Sequence, residues 1–253
     1  MRGDLRYRLY EAAVQTPELD VEILERLFVA RTGRVPLALR EDFCGTAALS
    51  AAWVGSDDDR EAVAVDRDRA VLAYAERVHR AALEDEAERM TLVRADVRAP
   101  SDRTFDLVVA MNFSWALFDD AELAEYLANA ARCLEDDGLL VLELFGGRDM
   151  RRPLVREHRH EDFVYVWEQR AYDAERAILD ARISFRRRGV ELKDAFTYRF
   201  HLRPLDRLCA MLRDAGLTEV ELLVEDRRGR YRRARREPRA PLWRGFLVGR
   251  STA

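Results

Sequence analysis

The chain has 253 residues, of which 48% are hydrophobic and 36% charged, and its formal net charge is −4. A chain of this length buries about three quarters of its unfolded surface, which suffices for one domain with an insertion. No apolar run approaches the roughly twenty residues of a membrane helix, and the acidic balance argues against a broad nucleic-acid surface. Met1-Arg-Gly-Asp-Leu5 lacks an apolar signal core, so a cytoplasmic protein without membrane contact is expected. Cys44, Cys133 and Cys209 are odd in number and lie far apart, with no Cys-x-x-Cys pair or clustered histidines, so neither a disulfide framework nor a metal site is expected.

The first thirty or so residues read as two helices. Tyr7, Tyr10, Val14 and Gln15 sit on the shorter one; Thr16, as cap, and Pro17 open the second, whose apolar face carries Leu24, Leu27 and Phe28. The stretch from Pro36 to Trp53 is a buried strand that ends in the acidic pair Glu41 and Asp42, turns through Gly45 and enters a helix over 46–54. A second apolar run, Ala62-Val-Ala-Val65, ends at Asp66 and precedes a helix over 67–84. A third, Thr91-Leu-Val-Arg-Ala95, ends at Asp96. Phe105 to Trp115 contains the fourth strand, followed by a helix over 119–134, the turn Asp136-Asp-Gly138 and a fifth strand over 139–145. Alternation of this kind implies parallel strands with helices on both faces.

Beyond Gly147 the period changes to two. Leu179, Ala181, Ile183 and Phe185 face one way against Asp180, Arg182 and Arg186, while Leu192, Phe196, Tyr198, Phe200 and Leu202 alternate with Lys193, Arg199 and His201. With 163–170 these segments predict a three-stranded antiparallel meander, placed as a lid or as the surface of a homodimer. A helix over 204–215, ended by Gly216, returns the chain to the core, and 217–224 with 245–248 complete the sheet as an antiparallel pair. The expected fold is therefore α/β: a doubly wound, mostly parallel seven-stranded sheet with helices on both faces, an N-terminal helical cap and the inserted meander. The corresponding segments are 1–34, 35–146, 147–203 and 204–253.

Three successive strands that deliver Glu41, Asp66 and Asp96 at their carboxyl ends imply one crevice lined with hydrogen-bond acceptors, where open α/β sheets bind nucleotide-like ligands. A dinucleotide turn needs three glycines to approach a pyrophosphate, yet those positions hold Phe43, Gly45 and Ala48. Acids at this turn repel a diphosphate and attract a cation. S-adenosylmethionine meets those terms, with a sulfonium, an ammonium, an adenosine and no phosphate.

These residues resemble the class I S-adenosylmethionine-dependent methyltransferases, whose first motif runs acid, apolar residue, Gly, x, Gly, x, Gly. Glu41 to Ala47 fall on it in register, with Phe43 and Ala47 replacing two of the glycines. The resemblance covers residues 35–146 closely and 204–253 more loosely. It implies that Asp66, with Arg67, holds the ribose, that Asp96 and the backbone of Val97 contact the adenine, and that Asn112 on the fourth-strand motif faces the methyl donor. Glu41, Cys44 and Gly45 then line the turn, Cys44 as a small packing residue and not a nucleophile, and Tyr10 folds over the cofactor. Phe113, Trp115, Tyr198 and His201 are the expected contacts to a small-molecule methyl acceptor. No general base is assigned: Glu143, Tyr198 and His201 can accept a proton, and each also reads as structural.

Two other readings remain open. The run Arg227 to Arg239 offers a basic patch for RNA, as an RNA methyltransferase or a binding module, although Lys193 is the sole lysine and arginine is simply this chain's usual cation. No Asn-Pro-Pro-Tyr or Asp-Pro-Pro-Tyr follows the fourth strand, which counts against methylation of adenine in nucleic acid. A nicotinamide-dependent oxidoreductase shares the ribose acid and is disfavoured by Phe43 and Ala48.

Overall fold

A computed structural model describes residues 2–252, with side chains from Asp4 onward. Two helices, α1 (Arg2–Val14) and α2 (Pro17–Thr32), precede the alternating core β1 (Ala38–Asp42), α3 (Ala48–Val54), β2 (Glu61–Asp66), α4 (Arg69–Ala75), β3 (Met90–Arg94), β4 (Phe105–Ala110), α5 (Asp120–Arg132) and β5 (Leu134–Gly146). An insertion of β6 (Leu154–Arg159), β7 (Val164–Asp173), β8 (Ile178–Arg187) and β9 (Val190–His201) follows. The chain closes with α6 (Leu205–Asp214), β10 (Thr218–Glu225), β11 (Tyr231–Ala234) and β12 (Trp243–Arg250).

The main sheet runs β11-β10-β12-β5-β4-β1-β2-β3. Its first five strands in sequence are parallel, and β12, β10 and β11 extend it antiparallel from β5. Because the chain winds outward from β1 to β3 and then returns to the far side of β1 as β4, the strand order reverses between β1 and β4, the point at which such sheets open a ligand crevice. Every residue of β4 is buried, as expected for a central parallel strand covered on both faces. One face packs Leu24 and Phe28 of α2 with Leu49 and Trp53 of α3. The other packs Leu123 and Leu127 of α5 with Leu208 and Leu212 of α6.

Several expectations are corrected. The sheet has eight strands, because the arginine-rich segment contributes β11, registered along β10 from Leu222–Ala234 to Glu225–Tyr231. The insertion has four strands, not three. Its extra strand, β6, reads Leu-Val-Arg-Glu-His-Arg, apolar only in its first two residues, which point to opposite faces, so it carries no apolar face to betray it. The helix expected over 67–84 stops at Ala75 and continues as a π turn and a 3-10 stretch interrupted at Glu84, whose φ is 51°. Pro17 does start α2, but Thr16 makes no side-chain capping bond.

The N-terminal cap joins the core in two ways. Leu9 of α1 packs with Phe163, Ile183 and Phe185 of the inserted sheet, and Tyr7 packs with Val71 and Tyr74 of α4. The segment between α2 and β1 is held by Asp106 of β4, whose carboxylate accepts hydrogen bonds from the amides of Leu37 (2.7 Å) and Ala38 (3.0 Å) and pairs with Arg34. Asp106→Ala leaves two backbone donors unpaired at a site only 6% exposed. It is expected to cost about 2–3 kcal/mol in urea unfolding with an unchanged m-value.

Candidate functional site

At the end of β1 the two-residue alternation sends neighbouring acids to opposite faces. Glu41 turns towards a crevice of about 490 Å³ at the carboxyl edge of the sheet, where Asp66 from the end of β2 and Asp96 from beyond β3 also lie. Asp42 turns away. It is 1% exposed, takes Arg40 Nε at 2.8 Å and the Tyr126 hydroxyl at 3.1 Å, and does not line the crevice. The acidic pair thus divides into one residue at the site and one that is structural.

Glu41 Oε2 accepts from the Ser50 amide at 3.0 Å and the Ser50 hydroxyl at 2.5 Å. Burial pushes its carboxyl up to about 8; the Ser50 bonds work against the shift, and the nearby carboxylates of Asp20 and Asp66 add to it. Asp66 Oδ2 accepts from the Gly45 amide at 3.0 Å and Oδ1 from the Asp68 amide at 2.8 Å. The cap of α4 is Asp68, not Asp66. Asp96 receives Arg98 Nε at 2.9 Å on Oδ1 and its guanidinium at 2.8 Å on Oδ2, and these bonds hold the carboxyl down at about 2. Neither Glu41 nor Asp66 has a salt-bridge partner among the described residues, whereas Asp42 and Asp96 do.

The turn between β1 and α3 places Phe43, Gly45 and Ala47 at φ of 56°, 55° and 56°. These are the positions of the three motif glycines, so the left-handed backbone survives where the residue type does not. Each non-glycine residue there costs about 1–2 kcal/mol. A Cβ on Gly45 meets nothing within 4 Å, so that side of the turn stays open. Cys44 is 2% exposed; burial and then the carboxylates of Glu41, Asp66 and Asp42 push its thiol well up, which suppresses the reactive thiolate.

Tyr10, Arg67, Val97 and Asn112 also line the crevice. Asn112 sits at φ 56°, and its amide donates to Glu143 Oε2 at 2.6 Å. Glu143 is 1% exposed and also paired with Arg244, so it positions Asn112 and has no free face for proton transfer.

A second chamber of about 260 Å³ lies between the main sheet and the inserted one, and it shares Tyr10, Asn112 and Tyr198 with the crevice. Burial raises the phenol groups of Tyr10 and Tyr198 far above the physiological range, so they stay neutral. Phe113 and Tyr198 line this chamber as the sequence suggested. Trp115 does not: its indole is 2% exposed and donates to the Glu143 carbonyl at 2.7 Å. His201 lines neither cavity. It lies on the face of β9 opposite Tyr198 and Phe200, and burial followed by Arg203 lowers its pKa. Residues that sequence reasoning missed include Phe196 and Tyr7 at the crevice and Tyr165, Trp167, Gln169 and Ile183 in the chamber. The alternation of Tyr165, Trp167 and Gln169 along one strand was the available signal.

Residues 43–138 match the family described as a methyltransferase domain. No curated protein matches the chain. Among solved structures, an S-adenosylmethionine-dependent methyltransferase from Clostridium acetobutylicum superposes with a TM-score of 0.71 at 15% identity, covering 98% of each chain. An amino pentose methyltransferase from Micromonospora echinaspora, solved with S-adenosylmethionine bound, gives 0.71 at 16% identity over 98% of this chain and 97% of that one. A sugar N-methyltransferase from Streptoalloteichus gives 0.65 at 23% identity over 98% and 93%. The fold and the matched domain bear out the resemblance read from the sequence.

Asp42→Asn leaves the Arg40 guanidinium buried without its counter-charge. The expected loss is about 3–5 kcal/mol of stability by denaturant unfolding, while the folded variant keeps its affinity for S-adenosylmethionine in calorimetry. A loss of affinity in a folded Asp42→Asn protein would return Asp42 to the site.

Proposed function

We propose that this chain is a class I S-adenosylmethionine-dependent methyltransferase that transfers a methyl group to a small molecule held beneath its inserted sheet, a reading supported by the domain match and the fold. The observation that carries the reading is the convergence of Glu41, Asp66 and Asp96 on one crevice that meets a second chamber at Tyr10, Asn112 and Tyr198.

The residues present fit the cofactor. Glu41 and Asp66, carboxylates without cationic partners, suit a ligand with a sulfonium and an ammonium, and Asp66 keeps lone pairs for ribose hydroxyls beyond its two amide bonds. When bound, S-adenosylmethionine supplies an electrophilic methyl group whose leaving sulfur becomes neutral. The protein's own task is alignment and exclusion of water. Asn112, fixed by Glu143, and the paired phenols of Tyr10 and Tyr198 narrow the passage between crevice and chamber, so an acceptor atom enters along a restricted line. Those phenols stay neutral, Glu143 is occupied, and His201 faces elsewhere, so no side chain at the passage serves as a strong base. An acceptor that arrives as an uncharged nucleophile, such as a free amine, needs none. The N-methylation carried out by the sugar and glycopeptide neighbours accords with that requirement.

The RNA alternative gains no support from the matched domain or the solved neighbours. The segment with Arg230, Arg232 and Arg233 lies on β11 and its turn at the far edge of the sheet, and these arginines pair with Asp226 and Glu221.

Calorimetry is expected to show S-adenosylmethionine binding and no NAD binding. Asp66→Ala is expected to weaken the cofactor by about 1.5–3 kcal/mol, roughly ten- to a hundredfold. Tight NAD binding without S-adenosylmethionine binding would reverse the assignment, and unchanged affinity in a folded variant would remove Asp66 from the site.

A further inference from the structure

The chamber beneath the inserted sheet is walled by Phe113, Phe145, Trp167, Ile183 and Phe200. Of its charged side chains, Asp149 and Arg156 pair with each other, the carboxylate accepting Arg156 at 2.7 Å as well as Arg152, from outside the lining, at 2.8 Å. One polar group does not fit this pattern. Gln169 is 2% exposed, and its Oε1 has no hydrogen-bond partner among the described residues, the sole chamber-lining atom in that state. Its Nε2 rests 4.0 Å from the Met150 sulfur, a weak acceptor. Gln169 closes the regular register of β7, immediately before the irregularity that separates it from Ala171, a place where strands re-aim side chains.

A buried carbonyl left unpaired is costly, and leucine of similar volume would remove the cost. A buried carbonyl left unpaired in a chamber walled mainly by aromatic and aliphatic side chains points to a ligand that completes it. We infer that Gln169 Oε1 receives an N–H or O–H of the methyl acceptor, and that the acceptor is a neutral, largely apolar ring compound carrying that donor. This rests on the chamber being the acceptor site of the proposed methyltransferase and adds the chemistry of what it admits. Gln169 reads the acceptor within the chamber, while Tyr10, Asn112 and Tyr198, shared with the crevice, frame the side where the methyl group arrives.

The test compares indole with benzofuran, rings of nearly the same shape that differ in one N–H. Each is titrated by calorimetry against protein saturated with S-adenosylhomocysteine. Wild type is expected to bind indole about three- to tenfold more tightly than benzofuran. Gln169→Leu should abolish the preference, bind benzofuran at least as well as wild type does, and melt no lower than wild type. A purely structural role for Gln169 would lower the melting temperature and leave the ratio between the two rings unchanged. Equal affinities in wild type, no binding of either ring, or a preference that survives Gln169→Leu would each overturn the inference. Failure of S-adenosylhomocysteine to bind would instead overturn the methyltransferase reading, so the two failures are distinguishable.

Discussion

The site depends on two carboxylates that have been carried to the rim of a parallel sheet and denied a cation. Elsewhere the protein neutralises its buried acids internally: Asp42 with Arg40, Asp106 with Arg34, Glu143 with Arg244. Among the described residues, Glu41 has only the Ser50 amide and hydroxyl, and Asp66 only two backbone amides. Hydrogen bonds satisfy geometry without cancelling charge. Burial raises the Glu41 carboxyl to about 8, so its surroundings disfavour the ionised form, and a cation alongside relieves the penalty. The turn also lacks two of the three glycines that a pyrophosphate requires, which separates this site from a dinucleotide site of similar topology.

Much of the crevice was legible because each determinant is local. A strand of fixed period that ends in an acid places that acid at the carboxyl edge, and the order of β1 to β4 brings the edges together. Even the turn lacking two glycines kept its backbone, since Phe43 and Ala47 adopt the left-handed conformation that the motif demands. The chamber was harder to read because it is made between a sheet and an insertion distant in sequence. Trp115 is aromatic and near the site, yet its N–H is taken by the Glu143 carbonyl, a contact that no local pattern reveals. His201 is different: the parity that groups Phe196, Tyr198 and Phe200 on one face already places it on the other, so sequence alone sufficed to exclude it. The edge strands β6 and β11 escaped notice because charged, exposed strands lack the apolar alternation by which strands are read.

The α1 helix links the two halves of the site. Tyr7 packs on α4 of the core and Leu9 on the inserted sheet, and Tyr10, which follows them on the same element, stands where crevice and chamber meet.

The central claim, that an uncompensated carboxyl at the sheet rim selects a cation, is tested most directly by proton release. With its carboxyl at about 8, Glu41 is roughly nine-tenths protonated at pH 7, and a cation alongside lowers that value. Titrating S-adenosylmethionine at pH 7 in two buffers of different ionisation enthalpy should report release of close to one proton per molecule bound, about 0.9 at most by this reasoning, and Glu41→Gln should abolish it. Binding heats that do not depend on the buffer in the wild-type protein would contradict the account.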